Sequence, residues 1–307
     1  MGTGVAILGI FVADLAFRAG RMPRIGETIA GSGFQLGPGG KGSNQAVAAA
    51  RAGADVTFIS KIGADDFGAI ALATWRKEGI SAQVEQIADQ PTGAAFIYVN
   101  DQNGENAIIV VPGAAATIAP ADVESAAEAI RSAAVFVTQL EQPVAAARRG
   151  LELAREAGVT TVFNPAPAEP VTDAIYPLCD YITPNESEAG LLTGISVESL
   201  DDARRAADVF LGKGVGTALI TLGEKGALLH SREASIIVPA FHAGDVVETA
   251  GAGDAFNGGF AAALAGGKSA EAAARFGCAT AGISVTRRGT APAMPSLGEI
   301  EALLQGH

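Results

Sequence analysis

Residues 248–264 place two glycines and a carboxylate at the start of a predicted helix. They read ETAGAGDAFNGGFAAAL, so Gly251 and Gly253 stand just before Asp254 and a segment rich in Ala and Phe. Glycines before a helix let the backbone turn tightly and expose N–H groups, and the helix dipole adds positive charge there. The pattern predicts an anion site with Asp254 as a neighbouring base, which suits transfer of a charged group onto a hydroxyl. Taken alone, it equally fits an Asp254 that only caps a buried helix.

The elements that must position these residues follow a strand–helix alternation. Apolar runs at 5–10 and 56–62 predict buried strands, and helices are expected at 67–78 and from the Gly-rich loop near residue 40 to about Gly53. Further strands are expected at 134–139, 160–164, 181–184, 218–222 and 226–230. Further helices are expected at 121–132, 144–157, 186–192, 200–213, 255–265 and 270–286. This order predicts an α/β fold with a doubly wound, mostly parallel sheet and helices on both faces.

Two segments depart from that rhythm. Residues 11–34 and 93–112 show alternating apolar residues broken by Pro and Gly, and the pair Asn103-Gly104 favours a hairpin turn. We expect the two segments to pair into a small antiparallel sheet, and residues 1–10, 35–92 and 113–307 to form the α/β core. The length of 307 residues allows one large domain or two.

Composition narrows the class of protein. Hydrophobic residues make up 49% and charged residues 18%, and the formal net charge is −12. That charge argues against nucleic acid or an anionic membrane as the main partner. Two distant cysteines and three scattered histidines suggest no disulfide framework, zinc site or Ser–His–Asp arrangement. We find no signal peptide or membrane-spanning run and expect a soluble, cytoplasmic protein.

Several loops that follow predicted strands are polar, and ligands of doubly wound folds bind at that end of the sheet. Glu141 follows one strand, the segment PNES that contains Asn185 follows another, and TLGEKG (residues 221–226) follows a third. Each loop has a plain alternative: Glu141 as a solvated charge, Asn185 with Glu188 as a capping box, and TLGEKG as a hairpin turn. Their expected meeting at one rim of the sheet favours a binding site.

The loop GPGGKGSN (residues 37–44) is a separate Gly-rich element. A phosphate-binding P-loop needs Gly-Lys followed directly by Ser or Thr, but Gly42 stands between Lys41 and Ser43. No strand is expected close before it, and the chain start lacks the dinucleotide pattern GxGxxG. Close backbone approach, the cation of Lys41 and the amide of Asn44 instead suit a polyhydroxylated small molecule.

Together these motifs resemble the ribokinase-like (PfkB) carbohydrate kinases along nearly the whole chain. The resemblance rests on GPGGKGSNQAVAAARAG, NPAP, TPNESE, TLGEKG, GAGDAFNGGF and VTRRGTAPAMP, in that family's order and spacing. It implies a doubly wound α/β domain with a small β-sheet lid, and a homodimer formed through the lid. It also implies transfer of the γ-phosphate of ATP to the terminal hydroxymethyl of a small sugar, with ribose expected, together with Mg²⁺ and K⁺.

The resemblance also implies roles for individual residues. Asp254 would be the base, with the transferring phosphoryl group held by the amides of Ala250, Gly251, Ala252 and Gly253. The sugar-binding residues would be Val12, Asp14, Gly40, Lys41, Gly42, Asn44, Glu141 and Asp254. The ATP-binding residues would be Asn185, Glu188, Thr221, Leu222, Gly223, Glu224, Lys225, Gly226, Gly253 and Cys278, with Glu188 acting indirectly on Mg²⁺. The monovalent-cation site would involve Glu248, Ala250, Ser284, Arg287 and Gly289.

Three positions depart from the family pattern. Val12 stands where the ribose kinases carry Asn, so a sugar hydroxyl would lose a partner worth about 0.5–1.5 kcal/mol. Glu248 stands in place of Asp near the cation, and Cys278 in place of His near adenine. Val12 motivates an alternative, a kinase for another pentose, a hexose or a nucleoside. A further alternative is a non-catalytic protein that binds sugar or nucleotide, against which the intact GAGD and NESE segments count.

Overall fold

The strands lie in two separate sheets. The computed structural model describes residues 4–306. In chain order the strands are β1 (Val5–Leu8), β2 (Val12–Ala19), β3 (Gly33–Gly39), β4 (Val56–Gly63), β5 (Ser81–Ile87), β6 (Thr92–Asn100), β7 (Asn106–Gly113), β8 (Val135–Thr138), β9 (Thr160–Phe163), β10 (Tyr181–Ile182), β11 (Thr217–Thr221), β12 (Ala227–Ser231) and β13 (Ser235–Val238). The helices are α1 (Lys41–Arg51), α2 (Asp66–Lys77), α3 (Pro120–Ser125), α4 (Ala127–Ser132), α5 (Val144–Glu156), α6 (Glu186–Thr193), α7 (Leu200–Gly212), α8 (Ala252–Ala265), α9 (Ala270–Ser284) and α10 (Leu297–Gln305).

The larger sheet forms the centre of the molecule. Within residues 4–306 it has nine strands in the order β13-β12-β11-β10-β9-β8-β1-β4-β5, and all neighbouring pairs are parallel except β11–β12 and β12–β13. In β1, Val5 and Ile7 face a core built with α1, α2, α8 and α9, whereas Ala6 and Leu8 face a core built with α3 to α7. Burial on both faces is typical of a doubly wound sheet. The predicted fold class is confirmed.

The small sheet has the order β3-β2-β6-β7. The pairs β2–β3 and β6–β7 are antiparallel, as the two alternating segments predicted, and a parallel pairing of β2 with β6 joins them. Strand β3 runs to Gly39 and so ends directly before α1. The expectation that no strand closely precedes the GPGGKGSN loop was therefore wrong.

Close packing of α1 on α8 brings the beginnings of the two helices together. A Cβ built on Gly258 of α8 would come 2.4 Å from Cβ of Ala48 and 2.5 Å from the carbonyl oxygen of Gln45. Only glycine allows so close a helix–helix contact. The contact fixes the first turn of α1, which carries Lys41, beside the first turn of α8, which carries Asp254.

Some predicted elements differ in detail. The helix expected at 121–132 is divided into α3 and α4, and α8 begins at Ala252, three residues earlier than expected. Strands β5 and β13 were not predicted, because half or more of their side chains are exposed and β5 is largely polar. A search of residues 4–306 for a helix long and apolar enough to cross a membrane finds none.

Candidate active site

Asp254 is held at the start of α8 by two amide side chains from α1. Asn44 Nδ2 donates to its Oδ2 over 3.0 Å, and Gln45 Nε2 donates to its Oδ1 over 3.1 Å. Asp254 is the third residue of the helix and is 6% exposed, whereas the N-cap is Gly251, with φ of 79°. The alternative in which Asp254 caps the helix was therefore wrong. Its carboxylate accepts from the side chains of Asn44 and Gln45. The first amides of α8 have no carbonyl partner within the helix.

Burial and mutual attraction set the charges of Asp254 and Lys41. Burial raises the pKa of Asp254, while Lys41 and the amides of Asn44 and Gln45 oppose that rise. Burial also acts to lower the pKa of Lys41, but the nearby carboxylates, of which Asp254 has the largest influence, outweigh it and raise that pKa. Lys41 is therefore charged at neutral pH, and Asp254 is a carboxyl group whose basicity is increased by burial, which suits a general base.

A cavity of about 150 Å³ opens at this point. It is smaller than the roughly 300–1,000 Å³ of a typical small-molecule site, so it encloses only the part around the turn at residues 250–253, hereafter the glycine turn. Its lining residues come mainly from the ends of three strands and the starts of three helices: Lys41, Asn164, Ala166, Thr183, Asn185, Glu188, Thr221, Thr249, Gly251, Ala252, Gly253, Asp254 and Asn257. The structure thus brings together the polar loops that the sequence placed at one rim.

Two further carboxylates, those of Glu141 and Asp14, lie near Asp254. The backbone N–H of Lys41 donates to Glu141 Oε2 over 2.7 Å, so Glu141 lies at the positive end of α1 and is no solvated charge. Burial raises the pKa of Glu141 to about 7, with Asp254 adding to the rise. Burial likewise raises the pKa of Asp14 to about 6. The buried Oδ1 of Asn44 has no hydrogen-bond partner within residues 4–306, so it can accept a hydroxyl.

We expect a pH dependence from Asp14 and Glu141. An ionised carboxylate accepts a sugar hydroxyl more strongly than a neutral carboxyl group does, so kcat/KM for the sugar should fall below about pH 7 and more steeply below about pH 6. In Glu141→Gln the upper step should be lost. A kcat/KM that stays constant down to pH 5 would contradict these assignments.

The unfolding free energy should show the opposite pH dependence. Asp14 and Glu141 bind more protons in the folded than in the unfolded state, so their contribution to the unfolding free energy decreases as pH rises from about 4 to 7.

Asn185 and Glu188 form a capping box and also line the cavity. The Asn185 N–H donates to Glu188 Oε2, and the Glu188 N–H donates to Asn185 Oδ1, each over 2.8 Å. Burial raises the pKa of Glu188, with Asp254 adding to the rise. Residue Thr221 bridges Asn185 at the end of β11, and TLGEKG turns tightly between β11 and β12 through a 3₁₀ turn at Gly223–Lys225. The capping box and the hairpin turn are therefore both present, and Asn185, Glu188 and Thr221 also line the cavity.

Cys278 and Val12 are among the predicted site residues that do not line the cavity. Cys278 is buried in the core cluster of α9, where burial raises the pKa of its thiol to about 12. Val12 is 3% exposed, and a Cβ built on Gly93 would come 2.9 Å from its Cγ1. Val12 lies on the same face of β2 as Asp14, two residues on. Val12 thus forms an apolar wall beside the carboxylate of Asp14.

The residues predicted for a monovalent cation lie on two adjacent segments. The N–H groups of Val247 and Glu248 donate to the carbonyl of Val285, and Gly289 N–H donates to Glu248 Oε2 over 3.0 Å. The Ser284 hydroxyl donates to its own helix, and the Arg287 side chain pairs with Glu299. Residues 4–306 contain no cluster of three His, Cys, Asp or Glu side chains with metal-binding geometry. A site here would therefore depend on backbone carbonyls and Glu248.

Gln45 is the main site residue that sequence reasoning missed. Besides Asp254, its Nε2 contacts Asn164 Oδ1 over 3.0 Å, and its Oε1 accepts from Gln139 Nε2 over 2.6 Å. Nearby, the Thr183 hydroxyl donates to Asn257 Oδ1, and the Asn257 amide donates to the Gly253 carbonyl. The position of Gln45 next to Asn44 in the first turn of α1 was the available signal.

The structure also contains a Ser–His–Asp contact that the sequence did not suggest. His230 lies 2.9 Å from the Ser235 hydroxyl through Nδ1 and 3.0 Å from Asp208 through Nε2. Arg204 also donates to the Ser235 hydroxyl. These residues lie on β12, β13 and α7 at the sheet edge and not among those that line the cavity at the glycine turn. We assign them to holding α7 against the sheet edge.

Comparison with known proteins gives the family of the chain. Residues 3–297 match the pfkB family of carbohydrate kinases, and the chain belongs to that family. It is 39% identical to a ribokinase of Haemophilus influenzae over 98% of each chain. It is 36% identical to a deoxyribokinase of Salmonella typhi, again over 98% of each chain.

Solved structures agree with this assignment. The ribokinase of Arabidopsis thaliana, solved in complex with ribose and ATP, superimposes with a TM-score of 0.92 at 30% identity over 99% of each chain. A ribokinase from Thermotoga maritima superimposes with a TM-score of 0.90 at 34% identity over 99% of each chain. The chain is thus a carbohydrate kinase of the pfkB family with the fold of the ribokinases.

Proposed function

We propose that this kinase transfers the γ-phosphate of ATP to the terminal hydroxymethyl of ribose, giving ribose 5-phosphate and ADP. The observation that carries the proposal is the buried Asp254 at the start of α8, beside Lys41 and the amides of the glycine turn. Phosphoryl transfer is mostly positioning and charge stabilisation, and these groups supply both. Full-length similarity to ribokinases, one solved with ribose and ATP, supports the sugar.

Each group has a defined task in the reaction. Asp254 accepts the proton of the sugar hydroxyl as its oxygen attacks the γ-phosphorus, and the bond to the leaving ADP oxygen breaks. The amides of the glycine turn and the Lys41 ammonium stabilise the negative charge of the transferring group. Asp14, Glu141 and the Oδ1 of Asn44 accept hydrogen bonds from the other sugar hydroxyls. Excluding water around the reacting groups suppresses hydrolysis of ATP.

The remaining assignments follow the resemblance to the family, with Asn185, Glu188 and Thr221 at the cavity wall. Asn185 and Glu188 serve the phosphates, and residues 221–226 and Cys278 the nucleotide. Mg²⁺ suits the Glu188 side, because Glu188 lines the cavity and the capping box holds only one of its carboxylate oxygens; the ion would neutralise phosphate charge. K⁺ suits the carbonyls around Glu248, Ala250 and Gly289, where it would strengthen the positive potential of the glycine turn.

A second candidate substrate is 2-deoxyribose. Val12 presents a buried apolar side chain on the same strand face as Asp14, and such a wall suits a CH₂ group better than a hydroxyl-bearing carbon. Similarity to a deoxyribokinase fits this candidate. The alternative of a non-catalytic binding protein loses support, because Asp254, Lys41 and the glycine turn are all in place.

A panel of pentoses, hexoses and nucleosides, each with ATP and Mg²⁺ and with or without K⁺, tests the proposal. We expect ribose to give the highest kcat/KM, and K⁺ to raise kcat. In Val12→Asn the preference for ribose over 2-deoxyribose should increase about fivefold, as expected for one added hydrogen bond. A wild-type preference for 2-deoxyribose would establish the second candidate instead, and a panel without phosphorylation would refute both.

We also propose that residues 11–34 and 93–112 form a lid that joins two copies of the chain in the cytoplasm. By strand register Phe17, Phe34, Leu36, Ile109 and Val111 share the face of the small sheet opposite to Asp14. All five are more than 40% exposed, which is an apolar patch of the kind that marks protein interfaces. Light scattering should give the mass of two chains, and that of one chain for Phe34→Asp. A monomeric wild type would contradict the dimer.

A further inference from the structure

We propose that Thr290 is a positioning residue that ties the sugar-binding carboxylate and the small sheet to the glycine turn. The inference rests on the proposed function. The Thr290 hydroxyl lies 3.1 Å from the carbonyl oxygen of Pro38 on β3 and 3.4 Å from Oδ2 of Asp14 on β2. On its other side, a Cβ built on Gly251 would come 3.2 Å from Cα and 3.3 Å from Cβ of Thr290. One residue therefore contacts both strands and the N-cap of α8.

The hydroxyl has a single hydrogen and two acceptors within reach. In the free enzyme its bond to Asp14 opposes the effect of burial and the repulsion from Asp254 and Glu248, which favours the ionised form that accepts sugar hydroxyls. Once sugar hydroxyls donate to Asp14, the hydrogen can remain on the shorter contact, to Pro38. Sugar binding thereby strengthens the contact through which Thr290 holds β3 against the core.

The position is well suited to this role because it belongs to neither helix that carries the reacting groups. Thr290 directly follows Gly289, one of the residues predicted for the monovalent cation, and precedes the 3₁₀ turn Ala291–Ala293. Arg51 donates to the carbonyls of Pro292 and Met294 from the end of α1, which holds that turn in place. A loss of the Thr290 hydroxyl should thus change the placement of Asp14 and β3 and leave the loop backbone where it is.

The test compares Thr290→Val, which replaces the hydroxyl by a methyl of similar shape, with Thr290→Ser, which keeps it. Thr286→Val is the matched control, because the Thr286 hydroxyl donates only to the local Ile283 carbonyl among the contacts in the described chain. We expect Thr290→Val to raise KM for the sugar about fivefold, the effect of one hydrogen bond, with KM for ATP within about twofold of wild type. Thr290→Ser and Thr286→Val should behave as wild type, and all three should unfold at similar temperatures.

Three results would overturn the proposal: an unchanged KM in Thr290→Val, an equal defect in Thr290→Ser, or an equal rise of KM for ATP. Titration calorimetry with ribose in the absence of ATP separates it from the proposed function. If ribose binds wild type but is not phosphorylated, the proposed function fails while a weaker affinity in Thr290→Val still supports the role of Thr290. If wild type neither binds nor phosphorylates ribose, both proposals fail.

Discussion

Replacing Asp254 by Asn is expected to lower kcat about 10³-fold, within the range that general base catalysis contributes. The change keeps the shape of the side chain and removes its ability to accept the hydroxyl proton. KM for the sugar should change little, because Asp14, Glu141 and Asn44 remain. Steady-state kinetics give both constants, and calorimetry gives sugar affinity without turnover.

Asp14→Asn is the matched comparison for this variant. It also removes one buried carboxylate from the site, but from a group assigned to sugar binding, so KM for the sugar should rise while kcat changes less. Asp254→Asn should unfold close to the wild-type temperature, since the one amide hydrogen bond that the new NH2 group cannot accept is offset by removal of a charge that burial disfavours. Turnover close to wild type in Asp254→Asn would refute its assignment as the base.

Replacing Gly251 by Ala is expected to lower kcat about 10²-fold or more, as the loss of an oxyanion-hole donor does. Gly251 has φ of 79°, where a side chain is strained, and the added Cβ would lie 3.2 Å from Cα of Thr290. Either effect turns the amides of the glycine turn away from the phosphoryl group. Initial rates at saturating ATP and sugar measure the loss.

Gly267→Ala is the control, since Gly267 flanks the other end of α8 with the same φ of 79° and no atom within 4 Å of its built Cβ. Both variants should lose about 1–2 kcal/mol of unfolding free energy from the left-handed backbone. Only Gly251→Ala should also lose catalytic activity. Equal activity of the two folded variants would show that the glycine turn does not act on the phosphoryl group.

The sequence predicted the sheet class and most of the residues around the cavity, because both depend on local patterns. Strand–helix alternation indicated a parallel sheet, and the carboxyl ends of its strands placed Asn185, Glu188 and Asp254 at one rim. The helix start after Gly251 was only partly predicted. The glycine pattern located the turn, but the choice between cap and base for Asp254 depends on partners outside its own segment.

Those partners are distant in the chain and left no local signal. Gln45 reaches Asp254 across 209 positions, and Thr290 reaches Asp14 across 276. The parallel pairing of β2 with β6 is likewise set by tertiary contacts, since strand alternation indicates which face a residue occupies and not which strand lies beside it. The polar, exposed strand β5 lacks even that alternation.

Product analysis tests the central claim most directly. Purified protein incubated with ATP, Mg²⁺ and ribose is followed by phosphorus NMR, with Asp254→Asn as the parallel sample. We expect one ADP formed for each ribose phosphorylated, with the phosphate on the terminal hydroxymethyl oxygen, and almost no product from the variant. Phosphate on another oxygen, release of inorganic phosphate in place of sugar phosphate, or equal product from Asp254→Asn would contradict it.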